Sequence, residues 1–332
     1  MTVRNKQWLL TSRPTGAVTE SNFKLAETEM PALQDGQVLI KVHYLSLDPY
    51  MRGRMEESKS YAAPQPLDAV MIGGTVGEVV ESKNPKYQPG DMVVGMGGWQ
   101  QYHVADGSGL MKVDTRHIPA SVYLGTVGMP GVTAWYGLTQ IGKPKPGETV
   151  VVSAASGAVG SVVGQLAKIY GCRAIGFAGG KAKCDYVVNE LGFDACIDYK
   201  ATGFQETFKA ATPDGVDIVF ENVGGEVFDA SLARMNAFGR VAVCGLIAGY
   251  SGQDIALRNV RSILVSRLKI EGFIVAEHME LWPQARKELG TCVAQGKLKY
   301  RESIAQGIES APRAFIGLLK GENFGKQLVK MT

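Results

Sequence analysis

One stretch of the chain has the residue types and the spacing to hold a phosphate group. The apolar run ETVVVS is followed directly by AASGAVGSVVGQLAK at positions 154–168. Gly157 allows the backbone to approach an anion, Gly160 lets a helix pack on the strand, and the helix N-terminus offers N–H groups. Ala155 replaces the first glycine of the usual G-x-G-x-x-G pattern. Because an alanine with negative φ fits that corner, we predict a dinucleotide-binding turn; the alternative is a glycine face that only packs a helix.

The end of the next predicted strand indicates which dinucleotide would bind. An Asp or Glu about 20 residues beyond the glycines would accept hydrogen bonds from a ribose 2′-hydroxyl, and no acid lies there. The chain reads FAGGKAKC instead, with Lys181 and Lys183 just after Gly179 and Gly180. Because lysines attract a 2′-phosphate, this pattern predicts NADP(H) rather than NAD. The alternative is a solvated helix start, although basic residues there oppose the helix dipole.

The elements that must position these residues fall into three segments. Residues 1–125 alternate short apolar runs with turn signals, as in GQVLIKVHYLSL, which is typical of β-structure. Residues 126–290 repeat a strand, a glycine turn and a helix, which predicts an α/β fold with a doubly wound parallel sheet. Residues 291–332 give a strand, an amphipathic helix and a final strand, which we expect to return to the first domain.

Composition argues against several other classes of function. The 332 residues carry a net charge of +3 without a basic block, so no nucleic-acid or membrane partner is expected. No window reaches the roughly 18 uninterrupted apolar residues of a spanning helix, and a cytoplasmic protein is expected. Five cysteines and four histidines are scattered without a C-x-x-C pair, so neither a disulfide framework nor a metal site is predicted.

Five motifs spread over nearly the whole chain resemble one family. They are LSLDPYMRGRM at 45–55, AASGAVGSVVGQLAK at 154–168, FENVGG at 220–225, CGLIAGY at 244–250 and LLKGENFGK at 318–326. With them the chain resembles the zinc-independent medium-chain dehydrogenase/reductase superfamily. Within it, the chain is most similar to the leukotriene hydroxydehydrogenase, prostaglandin reductase and 2-alkenal reductase family, which includes bacterial curcumin reductases. YLSLDPYM stands where zinc-dependent relatives carry a cysteine ligand, so alcohol oxidation at zinc is not expected.

The resemblance implies both a fold and a set of cofactor contacts. The expected fold is a GroES-like β-barrel domain over 1–125, a Rossmann domain over 126–290 and a return to the first domain over 291–332, with the cofactor between the domains. Lys183 and Tyr199 match 2′-phosphate contacts, and Lys181 is expected to replace a serine that many relatives have where Gly180 stands. The full set of expected NADP(H) contacts is Met129, Thr133, Gly157, Ala158, Val159, Gly160, Lys183, Tyr199, Asn222, Cys244, Gly245, Leu246, Ile247, Ala248, Gly249, Tyr250, Phe273, Ile274, Val275 and Asn323.

The activity that the resemblance implies is hydride transfer to the β-carbon of a small conjugated ketone or aldehyde, without a metal. Negative charge then builds on the carbonyl oxygen, so a hydrogen-bond donor must stabilise it and a proton must reach the α-carbon. Tyr50 and Tyr250 are the predicted catalytic residues, Tyr250 by positioning a ribose hydroxyl. Tyr50 and Tyr61 are predicted to contact the planar substrate. Tyrosines of the core would give the same sequence pattern.

Alternatives remain open at the level of sequence. The chain could be a quinone reductase of the same superfamily, or a protein that binds NADPH without turnover. Arg52 and Arg54 would suit an acidic substrate, although a structural ion pair with Asp48 or Glu56 is favoured. The predicted edge strand in RLKIEGF offers a pairing surface, so a homodimer is expected.

Overall fold

The computed structural model describes residues 4–250 and 252–331, and the chain divides into two units. The first unit takes the chain up to Gly125 and again from Glu302, and the second takes Thr126–Arg301. Within the described ranges, no helix is both long enough and apolar enough to cross a membrane.

The described residues form strands and helices in the following chain order. The strands are β1 Arg4–Leu10, β2 Phe23–Glu29, β3 Val38–Ser46, β4 Ala69–Val70, β5 Thr75–Ser82, β6 Met92–Gly95, β7 Tyr102–Ala105, β8 Met111–Lys112, β9 Thr149–Val152, β10 Arg173–Ala178, β11 Ala195–Asp198, β12 Val216–Glu221, β13 Met235–Val243, β14 Lys269–Gly272, β15 Glu302–Gln306 and β16 Lys326–Lys330. The α-helices are α1 Tyr50–Arg54, α2 Met129–Tyr136, α3 Gly160–Ile169, α4 Lys181–Asn189, α5 Phe204–Ala211, α6 Gly225–Ala233, α7 Arg261–Val265, α8 Trp282–Ala294 and α9 Ala311–Leu319.

The second unit extends past residue 290, where the sequence suggested that it ends. Helix α8 crosses that position, and its Leu289 is fully buried. Trp135 on α2 donates a 2.6 Å hydrogen bond from Nε1 to Glu288 on α8, which fixes the helix inside the second unit. The return to the first unit therefore begins at Glu302.

The first unit is built from two sheets whose strands alternate buried and more exposed side chains. The smaller sheet has the order β2-β1-β4, and the larger has the order β15-β16-β3-β5-β6-β8, with β7 also paired to β3. Along β3, Val38, Ile40 and Val42 are buried while the residues between them are more exposed, as a period of two requires. Met51 of α1 is fully buried in the same cluster as Trp99, so this core fixes the helix that carries the DPYMR motif.

The second unit is a six-stranded parallel sheet with the order β11-β10-β9-β12-β13-β14. All four residues of β9, TVVV, are buried, as expected for a central strand covered on both faces. The chain builds outward from β9 to β11 and then restarts on the other side of β9 with β12. This reversal makes a Rossmann-like doubly wound sheet, and ligands of such sheets bind beyond the carboxyl ends of the strands where the order reverses.

Glycines let the first crossover helix lie close to the sheet. A Cβ on Gly164 of α3 would lie 1.8 Å from the ring of Phe193, and a Cβ on Gly176 of β10 would lie 2.6 Å from Cβ of Ala155. No side chain fits at either position without moving its neighbours. The small face that the sequence shows along α3 is therefore a packing requirement.

Candidate cofactor and substrate site

The turn after β9 presents backbone rather than side chains at the end of the sheet. Ala155 does not adopt a positive φ, as the sequence required of an alanine at that corner, and the left-handed conformation falls on Ala154, with a φ of 50°. A Cβ on Gly160 would lie 2.4 Å from the Ala154 carbonyl oxygen, so only glycine fits there. At Gly157 an added Cβ would lie 3.2 Å from the same oxygen. The two glycines thus close a tight turn.

Helix α3 begins directly after this turn. In residues 4–250 and 252–331, no side chain caps the helix at Val159, and the first turn carries no acidic residue. Ser161 N and Val162 N donate to the carbonyls of Gly157 and Val159, both over 3.0 Å, and the helix dipole places partial positive charge at this end. The turn formed by Gly157, Ala158, Val159 and Gly160 therefore suits the pyrophosphate predicted for it.

A second group of residues meets beyond the end of β10. A Cβ on Gly179 would lie 2.9 Å from the Tyr199 hydroxyl oxygen and 3.0 Å from Cε of Lys200. Burial, and after it the charge of Lys200, holds the pKa of Lys183 below its ordinary value. Two ammonium groups that repel each other beside a phenol hydroxyl have the donor set that a phosphate needs.

Lys181, the expected replacement phosphate donor, forms an ion pair at the surface of α4. Its ammonium group lies 2.6 Å from Asp185 of the same helix, and its side chain is 86% exposed. The Asp185 carboxylate, four residues later, thus pairs with Lys181 at the helix surface. Lys200, which lies against Gly179, is a second cation near Lys183 that the sequence did not indicate.

The loop after β12 is tied to the loop after β9 by a buried hydrogen-bond network. Glu221, which is completely buried, accepts hydrogen bonds at Oε1 from Ser153 Oγ (2.8 Å), Val223 N (2.6 Å) and Gly224 N (2.8 Å). Asn222 donates from its backbone N to Ser153 Oγ (2.7 Å) and from Nδ2 to Ser153 O (2.8 Å). The predicted contact Asn222 is therefore fixed beside the glycine turn, where the strand order reverses.

Glu221 is held in this network without a cation. Burial raises its pKa to about 6, although the backbone N–H groups and Ser153 work against that shift. Its Oε2 atom is buried and has no hydrogen-bond partner among the residues that the structure describes. Burial, followed by the charge of Glu221, also raises the pKa of Cys244 to about 12, so that thiol stays protonated.

The predicted segment 244–250 follows β13 and bonds to the loop after β12. Cys244 N donates to Glu221 O (2.8 Å), and Ala248 N donates to Val223 O (2.9 Å). A Cβ on Gly245 would lie 3.4 Å from both the Tyr250 hydroxyl oxygen and the Asn222 carbonyl oxygen. Tyr250 thus brings its hydroxyl to the same loop as Asn222.

The remaining predicted contacts of the second unit lie on α2 and beyond β14. Thr133 is buried and donates from Oγ1 to Met129 O over 2.8 Å, so its hydroxyl is used within the helix. The Phe273 ring packs against Tyr136, with centroids 5.3 Å apart, and against Phe220 at 6.2 Å. Because this side chain belongs to an aromatic cluster, a contact of Phe273 with a ligand would use its backbone.

The candidate substrate residue Tyr50 begins α1 in the first unit. Burial, and after it the charge of Asp48, raises the pKa of its phenol well above the usual range, so the hydroxyl remains protonated. Tyr61 also contributes to the raised pKa of Tyr50, and the Tyr61 side chain is 57% exposed. A protonated phenol can donate a hydrogen bond to an oxygen that becomes negative.

Two ion pairs, one of them buried on both sides, hold the loop that carries Tyr50. Lys326 lies 2.9 Å from Asp48, to which Ser46 also donates, and both members of the ion pair are buried. Arg52 lies 2.8 Å from Glu56 and donates a hydrogen bond to the Gly16 carbonyl. Arg52 is 1% exposed and forms a structural ion pair, as the sequence favoured.

The last predicted cofactor contact, Asn323, lies in the first unit before β16. It donates from Nδ2 to Gly325 O over 2.8 Å, which shapes the GENFGK turn. In the part of the chain that the structure describes, no three His, Cys, Asp or Glu side chains are arranged to hold a metal ion.

Sequence reasoning missed Lys200, Ser153 and Glu221. Lys200 follows Tyr199 directly, and the spacing after β10 drew attention to the lysines of α4 instead. Glu221 lies inside the FENVGG motif, but an acidic residue there gives no sign that it is fully buried. A charged residue directly after the apolar run IVF, in the strand VDIVFE, was the available signal.

Two family models match the chain. One is described as the N-terminal domain of oxidoreductase and matches residues 6–113. The other is described as zinc-binding dehydrogenase and matches residues 158–291. Together the two models cover parts of both units.

Curated relatives and solved structures are similar over almost the full chain. The NADPH-dependent curcumin reductase of Escherichia coli K12 is 47% identical and aligns over 99% of this chain and 97% of that protein. The 2-alkenal reductase (NADP(+)-dependent) of Nicotiana tabacum is 41% identical, over 99% and 98%. The crystal structure of CurA in complex with NADPH from Vibrio vulnificus is 44% identical and covers 99% of both chains with a TM-score of 0.94.

The Rossmann-like sheet and its glycine turn, together with a separate β-rich unit, define an oxidoreductase of the medium-chain dehydrogenase/reductase type. The chain belongs to the zinc-independent branch of that superfamily, in the family of the prostaglandin, 2-alkenal and curcumin reductases.

Proposed function

We infer that this protein reduces the carbon–carbon double bond of α,β-unsaturated ketones and aldehydes with NADPH. The observation that carries this inference is the grouping of Lys183, Tyr199 and Lys200 around Gly179, one strand away from the glycine turn. That grouping offers two positive charges and a hydroxyl where the sequence predicts a 2′-phosphate. The full-length similarity to NADPH-dependent and NADP(+)-dependent reductases supports the same cofactor and substrate class.

Residues of the second unit are assigned to the cofactor from one end to the other. Gly157 and Gly160 form the tight turn assigned to the pyrophosphate, since a Cβ on Gly160 would collide with the turn itself. The start of α3, which no side chain caps, is assigned to the same group through the positive end of the helix dipole. Asn222 and Tyr250, which meet at Gly245, are assigned to the nicotinamide half.

Bound NADPH supplies the hydride that is delivered to the β-carbon of the substrate. Tyr50 is assigned to the substrate carbonyl oxygen, since burial keeps its phenol protonated and able to donate. Tyr250 is assigned to orient a ribose hydroxyl as a second donor. Such donors stabilise charge that develops in the transition state, and removing one typically lowers the rate about 100- to 1000-fold. Tyr61, which is more exposed, is assigned to the planar body of the substrate.

The assay that tests this function follows the oxidation of NADPH and, separately, of NADH with a panel of enals, enones and a simple quinone. We expect NADPH to be consumed with enals and enones, and NADH much less. Consumption with the quinone alone would replace this function with a quinone reductase. Binding of NADPH without oxidation by any acceptor would refute the catalytic assignment and leave a cofactor-binding protein.

Two lysines of α4 give a matched pair of variants for the cofactor. Lys183→Ala should raise KM for NADPH about tenfold, the loss of one charge-assisted hydrogen bond, and leave KM for NADH unchanged. Lys181→Ala is the control, because Lys181 pairs with Asp185 at the surface. Equal effects of both variants on NADPH would contradict the placement of the 2′-phosphate.

We also propose that two copies pair through β14. This strand lies at the edge of the six-stranded sheet, and Ile270, Leu264 and Phe238 near it are 37%, 79% and 68% exposed. Light scattering should give the mass of a dimer, and Leu264→Glu with Ile270→Lys should give a monomer. Ile304→Lys is the control and should stay dimeric, because Ile304 lies in the first unit and is as exposed as Ile270. A native mass of one chain would overturn this proposal.

A cytoplasmic location is a further part of the proposal. All five cysteines are free thiols, which suits a reducing compartment. Cell fractionation with an antibody should find the protein in the cytosolic fraction.

A further inference from the structure

Two cysteines face each other beneath the residues assigned to the 2′-phosphate. Cys184 lies in the first turns of α4, and Cys196 lies on β11. Each thiol shifts the pKa of the other, and the Cys184 sulfur lies 3.8 Å from the Ala178 carbonyl oxygen. Cys184 is buried, and Cys196 is partly exposed.

The packing of α4 on the sheet places the two cysteines on facing surfaces, independently of those pKa shifts. Cys196 is paired with Gly176 on the neighbouring strand. A Cβ on Gly176 would lie 3.1 Å from Cγ1 of Val187, which is one helical turn after Cys184 on α4. The face of α4 that carries Cys184 therefore covers the pair of strands that carries Cys196.

We propose that Cys184 and Cys196 form a reversible dithiol–disulfide site that responds to a small peroxide. In the first step the Cys184 thiolate attacks one peroxide oxygen, the O–O bond breaks, and Cys184 sulfenic acid forms with release of hydroxide or water. In the second step the Cys196 sulfur attacks the sulfenic sulfur, an S–S bond forms, and a second water leaves. The two sulfurs together lose two electrons, which the O–O bond accepts.

The two cysteines divide these roles by environment. Cys196 beside it holds the pKa of Cys184 below its ordinary value, which favours the thiolate that attacks. Cys184, and after it burial, holds the pKa of Cys196 above its ordinary range, so Cys196 acts second. Cys244, whose pKa is raised to about 12, has no thiol partner of this kind in the described residues and stays reduced.

Oxidation at this position would act on the cofactor, a consequence that rests on the proposed function. An S–S bond of about 2.05 Å draws the two sulfurs closer than a hydrogen bond does, so α4 and β11 must shift toward each other. Lys183 directly precedes Cys184, and Asp198, two residues after Cys196, accepts hydrogen bonds from Gly180 N (2.8 Å) and Lys200 N (3.0 Å). The shift therefore moves the lysines assigned to the 2′-phosphate, and NADPH affinity falls.

The disulfide is tested by mass, without an activity assay. Both cysteines lie in one tryptic peptide, residues 184–200, because no Lys or Arg separates them. After treatment of the full-length protein with hydrogen peroxide, that peptide should lose two hydrogen atoms and regain them with dithiothreitol. Cys184→Ser and Cys196→Ser should abolish the change, whereas Cys292→Ser, which alters a partly exposed cysteine on α8, should leave it. A peptide that stays reduced, or separate oxidation of each cysteine to sulfinic acid, would overturn the proposal.

The consequence for the cofactor is measured by NADPH and NADH binding to the reduced and the oxidised protein. We expect about tenfold weaker binding of NADPH after oxidation, with NADH unchanged, the equivalent of one lost charge-assisted hydrogen bond. A disulfide that leaves NADPH affinity unchanged would overturn the link to the cofactor. Failure of the reduced protein to bind NADPH would instead overturn the proposed function, while the mass result still decides the disulfide.

Discussion

The two units of the molecule bury a carboxylate in opposite ways. In the first unit Asp48 has a cation, since Lys326 lies 2.9 Å away and is itself buried. In the second unit Glu221 has only hydrogen-bond donors, the Ser153 hydroxyl and the N–H groups of Val223 and Gly224. The carboxylate of the first unit is paired with a cation, whereas neutral donors leave the Glu221 carboxylate with a pKa raised to about 6. The loop that carries the DPYMR motif is thus held by charge, and the loop that carries Asn222 by a group that titrates near neutrality.

The largest effect is expected from breaking the ion pair of the first unit. Lys326→Met should lower the free energy of unfolding by about 3–5 kcal/mol, because it leaves the Asp48 carboxylate buried without a cation. Denaturant unfolding at neutral pH measures the loss. Adding Asp48→Asn to the same chain should restore part of the stability. A double variant no more stable than Lys326→Met would show that the unpaired charge is not the cause.

A smaller effect is expected from the titration of Glu221. Its folded-state pKa of about 6 lies above the ordinary value of 4.5, so the folded chain holds the proton more tightly than the unfolded chain. The stability that Glu221 contributes is therefore present below pH 4.5 and is lost as the pH rises through 6, a change of about 2 kcal/mol.

The Gln variant isolates that titration from the rest of the molecule. Glu221→Gln keeps an acceptor for Ser153 and the loop N–H groups but cannot ionise. The difference in unfolding free energy between the native chain and this variant should change by about 2 kcal/mol between pH 4.5 and pH 7. Parallel pH profiles of the two proteins would show that Glu221 does not titrate in this range.

A still smaller effect is expected from one donor of the network. Ser153→Ala removes a hydrogen bond to Glu221 and the acceptor of Asn222 N, and should lower the unfolding free energy by about 1–2 kcal/mol. It should also raise the KM for the dinucleotide more than it lowers kcat, since Asn222 is then less firmly positioned. Ser231→Ala is a matched control, because that buried hydroxyl bonds only within α6 among the described residues. Equal changes of KM in both variants would contradict the positioning role.

The smallest effect is expected where a carboxylate is exposed. Hydrogen bonds from Arg116 hold the pKa of Asp114 well below its usual range, yet the Arg116 side chain is 81% exposed and water screens the pair. Arg116→Ala should leave the midpoint of denaturant unfolding unchanged within error. If Arg116→Ala shifts the unfolding midpoint as much as Ser153→Ala does, then exposure does not explain why the partners of buried and exposed carboxylates differ in their contribution to stability.

Much of the candidate site followed from local patterns. The strand, turn and helix around 154–168 predicted the position of Gly160, whose lack of a side chain the turn requires. FAGGKAKC drew attention to Lys183 but also to Lys181, and the structure gives these two lysines different partners. Lys183 lies near Lys200, while Lys181 pairs with Asp185. Helical spacing alone does not decide between them, because the deciding contact comes from another strand.

The sequence by itself determined the α/β class and the glycine turn, because periodicity and glycine spacing are properties of a few adjacent residues. It also determined the family resemblance, because the order of the motifs can be read along the chain without knowing which residues meet. Only the tertiary structure decided that Glu221 is buried without a cation, that Lys200 joins the lysine predicted for the phosphate, and that Cys184 meets Cys196. Each of these depends on which strands become neighbours in the sheet. The free energy of burying a charge or pairing two side chains is set by that neighbourhood, which residues distant in the chain create.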